Sequence, residues 1–212
     1  MRSVARVAAG GACAGLVLID VAAPFGTIAG HMAEHILLMN VLAPALAALA
    51  IARRAGLAAP GKALAAATLA QLALLWGWHA PAALSLAFRR WDAHALMHVS
   101  LLAAALCFWL AILSAKGAPG WRSLLALLPT SKLFCLLGAL LVLAPRPIYA
   151  DLIGAGAVDL EAMMADQRLA GLMMLIACPL TYVTAGVTIA ASRLRDSAAP
   201  ATELSRLSLS AS

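Results

Sequence analysis

The sequence predicts an all-α, polytopic transmembrane helical bundle, and three observations carry that prediction. Of 212 residues, 64% are hydrophobic and only 11% are charged, whereas a soluble domain carries about 25% charged residues. The mean hydropathy is accordingly high, at +0.96. The apolar residues also fall into separate stretches, each near the length of about 20 residues that a helix needs to cross the hydrocarbon. Finally, their long Ala/Leu runs lack the two-residue alternation of barrel strands, and a helix closes its own backbone hydrogen bonds where no water is present to do so.

Six spans follow in order: 4–22, 31–51, 63–80, 94–115, 123–144 and 169–191. The first follows Arg2 and Arg6 and contains Asp20; it reads as a span with a cytoplasmic N-terminus, and a cleaved signal peptide is the alternative. The second opens with His31 and His35. The third ends on Trp76, Trp78 and His79 and is stopped by Pro81. A second histidine pair, His94 and His98, opens the fourth. Residues 52–62 make an inner turn and 80–92 an outer one. The longest outer connection, 145–168, contains Pro145, Pro147, Gly154 and Gly156 and then the run from Asp159 to Asp166, a candidate lid over the bundle. Residues 1–192 form one transmembrane domain, and the Ser/Ala-rich stretch 193–212 reads as a disordered cytoplasmic tail.

Charge sets the orientation. With the N-terminus inside, eleven basic residues face the cytoplasm (Arg2, Arg6, Arg53, Arg54, Lys62, Lys116, Arg122, Lys132, Arg193, Arg195 and Arg206) and four, Arg89, Arg90, Arg146 and Arg168, face out, as the positive-inside rule requires. Most acidic residues, among them Asp20, Glu34, Asp92 and Asp166, sort to the outer face. The net charge of +6 therefore reads as topology. The basic residues form no stripe and no base-stacking aromatic set accompanies them, which argues against nucleic acid. Cys13, Cys107, Cys135 and Cys178 are scattered without a CxxC pairing, which argues against a disulfide framework, a redox motif or a thiolate zinc site.

All five histidines fall on the outer side of this map. Independent scattering would place five residues on one named side about one time in thirty. Residues four apart share one face of a helix, so His31/His35 and His94/His98 each present two imidazoles in one direction, and His79 lies at the same depth. Neutral imidazole ligates zinc, copper, iron and nickel, and Met39, a further four residues along from His35, adds a thioether that favours copper. His31, His35, His79, His94, His98 and Asp166 are the candidate metal ligands, with Glu34, Met39 and Gln167 supporting them. Asp92 reads as a cap of the fourth helix and Asp166 as a ligand or an orienter of an imidazole. The other methionines, Met32 and Met174 among them, read as packing, and Trp76, Trp78, Trp91 and Tyr149 as the interfacial aromatic belt. Three other readings stand beside copper. They are a zinc-dependent membrane hydrolase with Glu34 or Asp166 activating water, a b-type haem protein with axial histidines, and histidines that only hydrogen-bond headgroups or neighbouring helices.

The ordered strings His31-Met32-Ala-Glu34-His35…Met39…Ala43-Pro44, Trp78-His79-Ala-Pro81, His94…His98 before Phe108-Trp109, and Asp166-Gln167-Arg-Leu-Ala-Gly171 resemble the multispan CtaG-type cytochrome c oxidase assembly factors associated with caa-type oxidases. The likeness covers roughly residues 25–190. It implies a non-enzymatic bacterial inner-membrane protein whose partners, besides lipids, are oxidase subunits or other copper-handling assembly proteins. It also implies that the family's histidine and Asp-Gln positions fall on His31, His35, His79, His94, His98, Asp166 and Gln167. The chain departs from the family pattern in having six rather than seven spans and Glu34 where Gln is frequent.

Overall fold

In the computed structural model, residues 27–53, 61–114, 120–150 and 159–210 are described. They form six helices: α1 (Thr27–Arg53), α2 (Gly61–Trp78), α3 (Pro81–Arg89), α4 (Trp91–Leu113), α5 (Gly120–Leu143) and α6 (Leu160–Ser210). Among the described residues no strand occurs. Four helices are long and apolar enough to cross a membrane: α1, α4, α5 and the Leu160–Arg195 part of α6. A fifth crossing results if α2 and α3 count as one span broken by a 74° bend. The expected first span, 4–22, lies outside the described residues. The chain is thus a multi-pass helical membrane protein.

Up-and-down connectivity puts the start of α1, the end of α2, the start of α4, the end of α5 and the start of α6 at one end of the bundle. The core between them is aromatic at mid-depth. Trp109 and Tyr182 stack with centroids 5.4 Å apart, and Phe134 meets Tyr182 edge-on at 5.4 Å. The buried Tyr182 hydroxyl accepts a hydrogen bond from Gln71 Nε2 at 3.1 Å, while Gln71 Oε1 is buried without a partner. Leu69, Leu128, Ile176, Leu180 and Val187 face outward, as lipid contact demands.

α1 is not regular. Residues Leu37–Leu42 form a π-helical segment in which the Ala43 amide donates to the Leu38 carbonyl. The cause is local. A regular α-helix would give the Asn40 carbonyl the amide of residue 44, which is Pro44 and has no N–H. The helix widens instead, and the Met39 carbonyl that the shift releases accepts from Trp109 Nε1 at 3.0 Å. Single π turns of this kind concentrate at functional sites.

Three connections differ from the sequence reading. Residues 80–92 are no simple turn: Pro81 sits in the first turn of α3, where its missing amide costs nothing, so the same proline that stops α2 starts α3. The acidic run from Asp159 to Asp166 is the beginning of α6 rather than a lid, because Asp159 Oδ1 accepts from the amides of Glu161 (2.9 Å) and Ala162 (3.2 Å) and caps that helix; residues 151–158 lie outside the described residues. Residues 193–210, expected as part of a disordered tail, continue α6.

α5 and α6 cross where two glycines meet. A Cβ at Gly171 would stand 2.6 Å from the Gly138 carbonyl oxygen and 2.7 Å from Val142 Cγ2, distances that require backbone to move. Small residues at helix crossings are what let backbones approach this closely in a membrane. Gly171→Ala is therefore expected to destabilise the bundle by about 1–3 kcal/mol. Gly77→Ala, which meets nothing within 4 Å, is expected to be neutral or slightly stabilising. Reversible unfolding of the two variants in mixed micelles checks the contrast.

Candidate metal centre

Three backbone segments deliver the five histidines. His31 and His35 project from adjacent turns of α1, His79 occupies the break between α2 and α3, and His94 and His98 project from the first turns of α4. The rings converge. His31 and His35 have centroids 4.1 Å apart, His94 and His98 4.5 Å, His35 and His98 5.0 Å, His35 and His79 5.4 Å, and His31 and His98 5.9 Å. Phe88 of α3 lies edge-on to His31 at 5.1 Å and forms an apolar wall.

Burial makes this cluster chemically unusual. His31, His35 and His79 are each at most 4% exposed. Both ring nitrogens of His31, both of His35 and Nε2 of His79 are buried without a hydrogen-bond partner. His79 Nδ1 lies 2.7 Å from the Leu75 carbonyl oxygen; a carbonyl only accepts, so Nδ1 carries the proton and the Nε2 lone pair is left free. His98 is held differently: Nδ1 donates to the His94 carbonyl oxygen at 3.0 Å, and Nε2 lies 3.1 Å from Glu34 Oε2. Ligand atoms of His31, His35 and His98 all lie within 4.8 Å of one another, and those of Glu34, His94 and His98 do the same. Imidazole nitrogens bound at about 2 Å to one ion stand at most about 4 Å apart. The first triad is therefore within about 1 Å of bonding separation, and the two triads share His98. The residues fit a metal ion: soft-to-borderline nitrogen donors, free lone pairs and one adjacent carboxylate.

The other sequence-predicted residues are used elsewhere. Asp166 does not join the imidazoles. Its Oδ2 accepts from the Ile28 amide at 2.8 Å and its Oδ1 from the Ala29 amide at 3.1 Å, so it caps the first turn of α1 from another helix and fixes the turn that carries His31. Gln167 likewise binds backbone rather than a ring: Oε1 accepts from the Ile148 amide at 2.7 Å and Nε2 donates to the Leu141 carbonyl oxygen at 3.0 Å. Glu34 is placed as expected, against His98. Met39 lies deeper and lines a small cavity whose wall also includes His35 and His79. Asp92 pairs with Arg90 at 2.7 Å on the surface and accepts from the Ala93 amide, whereas the residue at the N-cap of α4 is Arg90.

Tyr149 was expected in the interfacial belt and is instead buried, its hydroxyl donating to the His79 carbonyl oxygen at 2.9 Å. Burial pushes that hydroxyl up to about 12, so it remains a donor throughout the accessible pH range. Gln167 holds Ile148 and thereby seats Tyr149, which in turn holds the His79 backbone. No residue type or spacing marks Tyr149 for this role. Trp78 departs from the belt as well: its Nε1 donates to Ser100 Oγ at 2.9 Å and ties the end of α2 to α4.

These contacts separate a capping role for Asp166 from a ligand role. Asp166→Ala is expected to lower stability by about 1–2 kcal/mol, the cost of a lost cap, while leaving the number of bound metal ions unchanged. Thermal unfolding together with metal analysis of the same preparation checks both halves.

No curated protein and no solved structure matches the chain. A family model does, over residues 7–196, and its description is cytochrome c oxidase caa3 assembly factor (Caa3_CtaG). The resemblance drawn from the histidine and Asp-Gln strings thus extends over nearly the whole sequence, and the chain belongs to the cytochrome c oxidase caa3 assembly factor family.

Proposed function

We propose that this family member binds copper through its imidazole cluster on the extracytoplasmic side of the bacterial inner membrane and supports maturation of the oxidase copper centre. The observation that carries the proposal is that His31, His35 and His79 lie side by side, buried, with ring nitrogens that lack a partner, while the ligand atoms of His31, His35 and His98 come within 4.8 Å of one another. An unpaired buried polar atom costs about 1–3 kcal/mol, and a cation that accepts the lone pairs removes much of that cost. His31 and His35 offer free lone pairs to the ion, His98 joins them by giving up the Nε2 proton that it shares with Glu34, His79 and His94 extend the donor set, and the Glu34 carboxylate offsets the charge. Bound there, the ion is retained in a site shielded by Phe88 and delivered by a protein that needs no catalytic step of its own.

Orientation follows from the charges. The end of the bundle opposite the histidines carries Arg53, Arg122, Arg193 and Arg195, and positive residues stay on the cytoplasmic side. Oxidase subunits or other copper-handling assembly proteins are the partners that the family role suggests.

The alternatives fit the geometry less well. A hydrolase needs a carboxylate free to activate a metal-bound water, and the Glu34 carboxylate is engaged by His98. A haem needs a planar slot between two opposed imidazoles, whereas these rings pack against one another at 4.1–6.3 Å. Replacing His35 and His94 together by Ala is expected to abolish copper retention by the purified protein and to leave the oxidase of the host short of copper. Mass spectrometry measures the first and the oxidase's metal content the second; undiminished copper in the double variant would sink the proposal.

A further inference from the structure

The imidazole cluster has a floor of a different chemistry. The cavity that His35 and His79 border is lined as well by Met32 and Met39 of α1, by Met174 and Cys178 of α6, and by the apolar Ile36, Leu75 and Phe134. Three thioethers and a thiol thus face the same small space as two imidazoles. All four sulfur-bearing residues are at most 4% exposed. Asn40 shares the wall: its Nδ2 lies 3.6 Å from Cys178 Sγ, and its Oδ1 is buried without a partner. The cavity is also where the π-helical segment turns Met39 and Asn40 inward.

Packing alone accounts poorly for this set. Methionine fills irregular gaps anywhere in an apolar bundle, as Met97 does, fully buried away from this cavity; what packing leaves unexplained here is that unpartnered polar atoms, Asn40 Oδ1 and His79 Nε2, belong to residues of the same wall. The three methionines that do line it share it with the thiol and with the free Nε2 of His79. Thioether and thiol donors select Cu(I) and other soft monovalent ions over zinc and the harder divalent ions. We propose that Met39, Met174 and Cys178, with Met32 beside them, form a second metal subsite, specific for a soft monovalent cation, directly beneath the imidazole cluster and sharing His35 and His79 with it. This goes beyond the copper-binding role proposed for the histidines and does not depend on it.

The test uses the full-length protein in detergent micelles, with Ag(I) as the soft probe and Co(II) as the probe of the imidazoles. Three proteins are compared: wild type, the triple variant Met39→Leu/Met174→Leu/Cys178→Ala, and the double variant His31→Ala/His94→Ala. The triple variant is expected to lose one equivalent of tightly bound Ag(I) and keep its Co(II), and the double variant the reverse. X-ray absorption of Ag(I)-loaded wild type is expected to show a sulfur shell, a readout that holds even if the triple variant folds poorly. Unchanged Ag(I) stoichiometry in the triple variant, or a shell of nitrogen and oxygen alone in wild type, overturns the subsite. Retention of Co(II) by the double variant would instead overturn the imidazole reading while the sulfur result stands.

Discussion

The fold depends on how it tolerates five imidazoles at one end of a lipid-embedded bundle. A neutral imidazole has one donor and one acceptor to satisfy. His31 and His35 satisfy neither and His79 only one, through Leu75. Each such atom costs about 1–3 kcal/mol, and several together rival the net stability of a whole domain, about 5–15 kcal/mol. A bundle that served only to pack would not concentrate these atoms at one point. The surrounding contacts hold the cluster open at that cost: Asp166 pins the first turn of α1, Tyr149 pins the backbone of His79, and the Glu34 carboxylate pins His98.

That division explains why the Asp-Gln pair serves the histidines without touching them. The carboxylate of the cluster is already supplied by Glu34, beside His98. Placed on the amides of Ile28 and Ala29, Asp166 instead answers a demand that every helix start makes, and the histidine one turn further on inherits the rigidity. Gln167, the next residue, reaches the other side of the site through Ile148 and Tyr149. One short stretch of α6 therefore positions ligands on both α1 and the α2–α3 break.

Much of this was legible in the sequence, for definable reasons. Spacing of four residues fixes a shared helix face whatever the tertiary structure, and alternating topology then sets depth, so the convergence of His31, His35, His79, His94 and His98 could be inferred from order alone. The Ala/Leu runs likewise fixed the helical class. Partners joined across long sequence separations were not legible. Asp166 and Gln167 are polar residues at a helix start in either role, and only the approach of α1 to α6 decides that backbone amides take their hydrogen bonds. Tyr149 reads as interfacial because aromatic residues near span ends usually are; its burial goes with Gln167 holding the backbone amide of the exposed Ile148 just before it. The helix of Pro81–Arg89 was missed because a proline after an apolar run signals a stop and a start equally well.

Pro44 shows how a single residue couples these levels. In a regular α-helix, four residues advance by about 400°, so each step from His31 to His35 to Met39 drifts about 40° off the starting face, and Met39 would stand about 80° away from His31. A π turn spans more than four residues and takes that drift back. Because Pro44 cannot donate to Asn40, the widening falls at Leu37–Leu42, between the histidines and the end of α1. Met39 consequently stays on the side of His35, and the two line one cavity, while Trp109 takes the carbonyl that the distortion frees. The stacking of nitrogen donors above sulfur donors along a single helix thus follows from the missing amide hydrogen of Pro44, nine residues beyond His35, the last histidine of α1, and fifteen beyond Ala29, the second of the two amides by which Asp166 fixes the start of that helix.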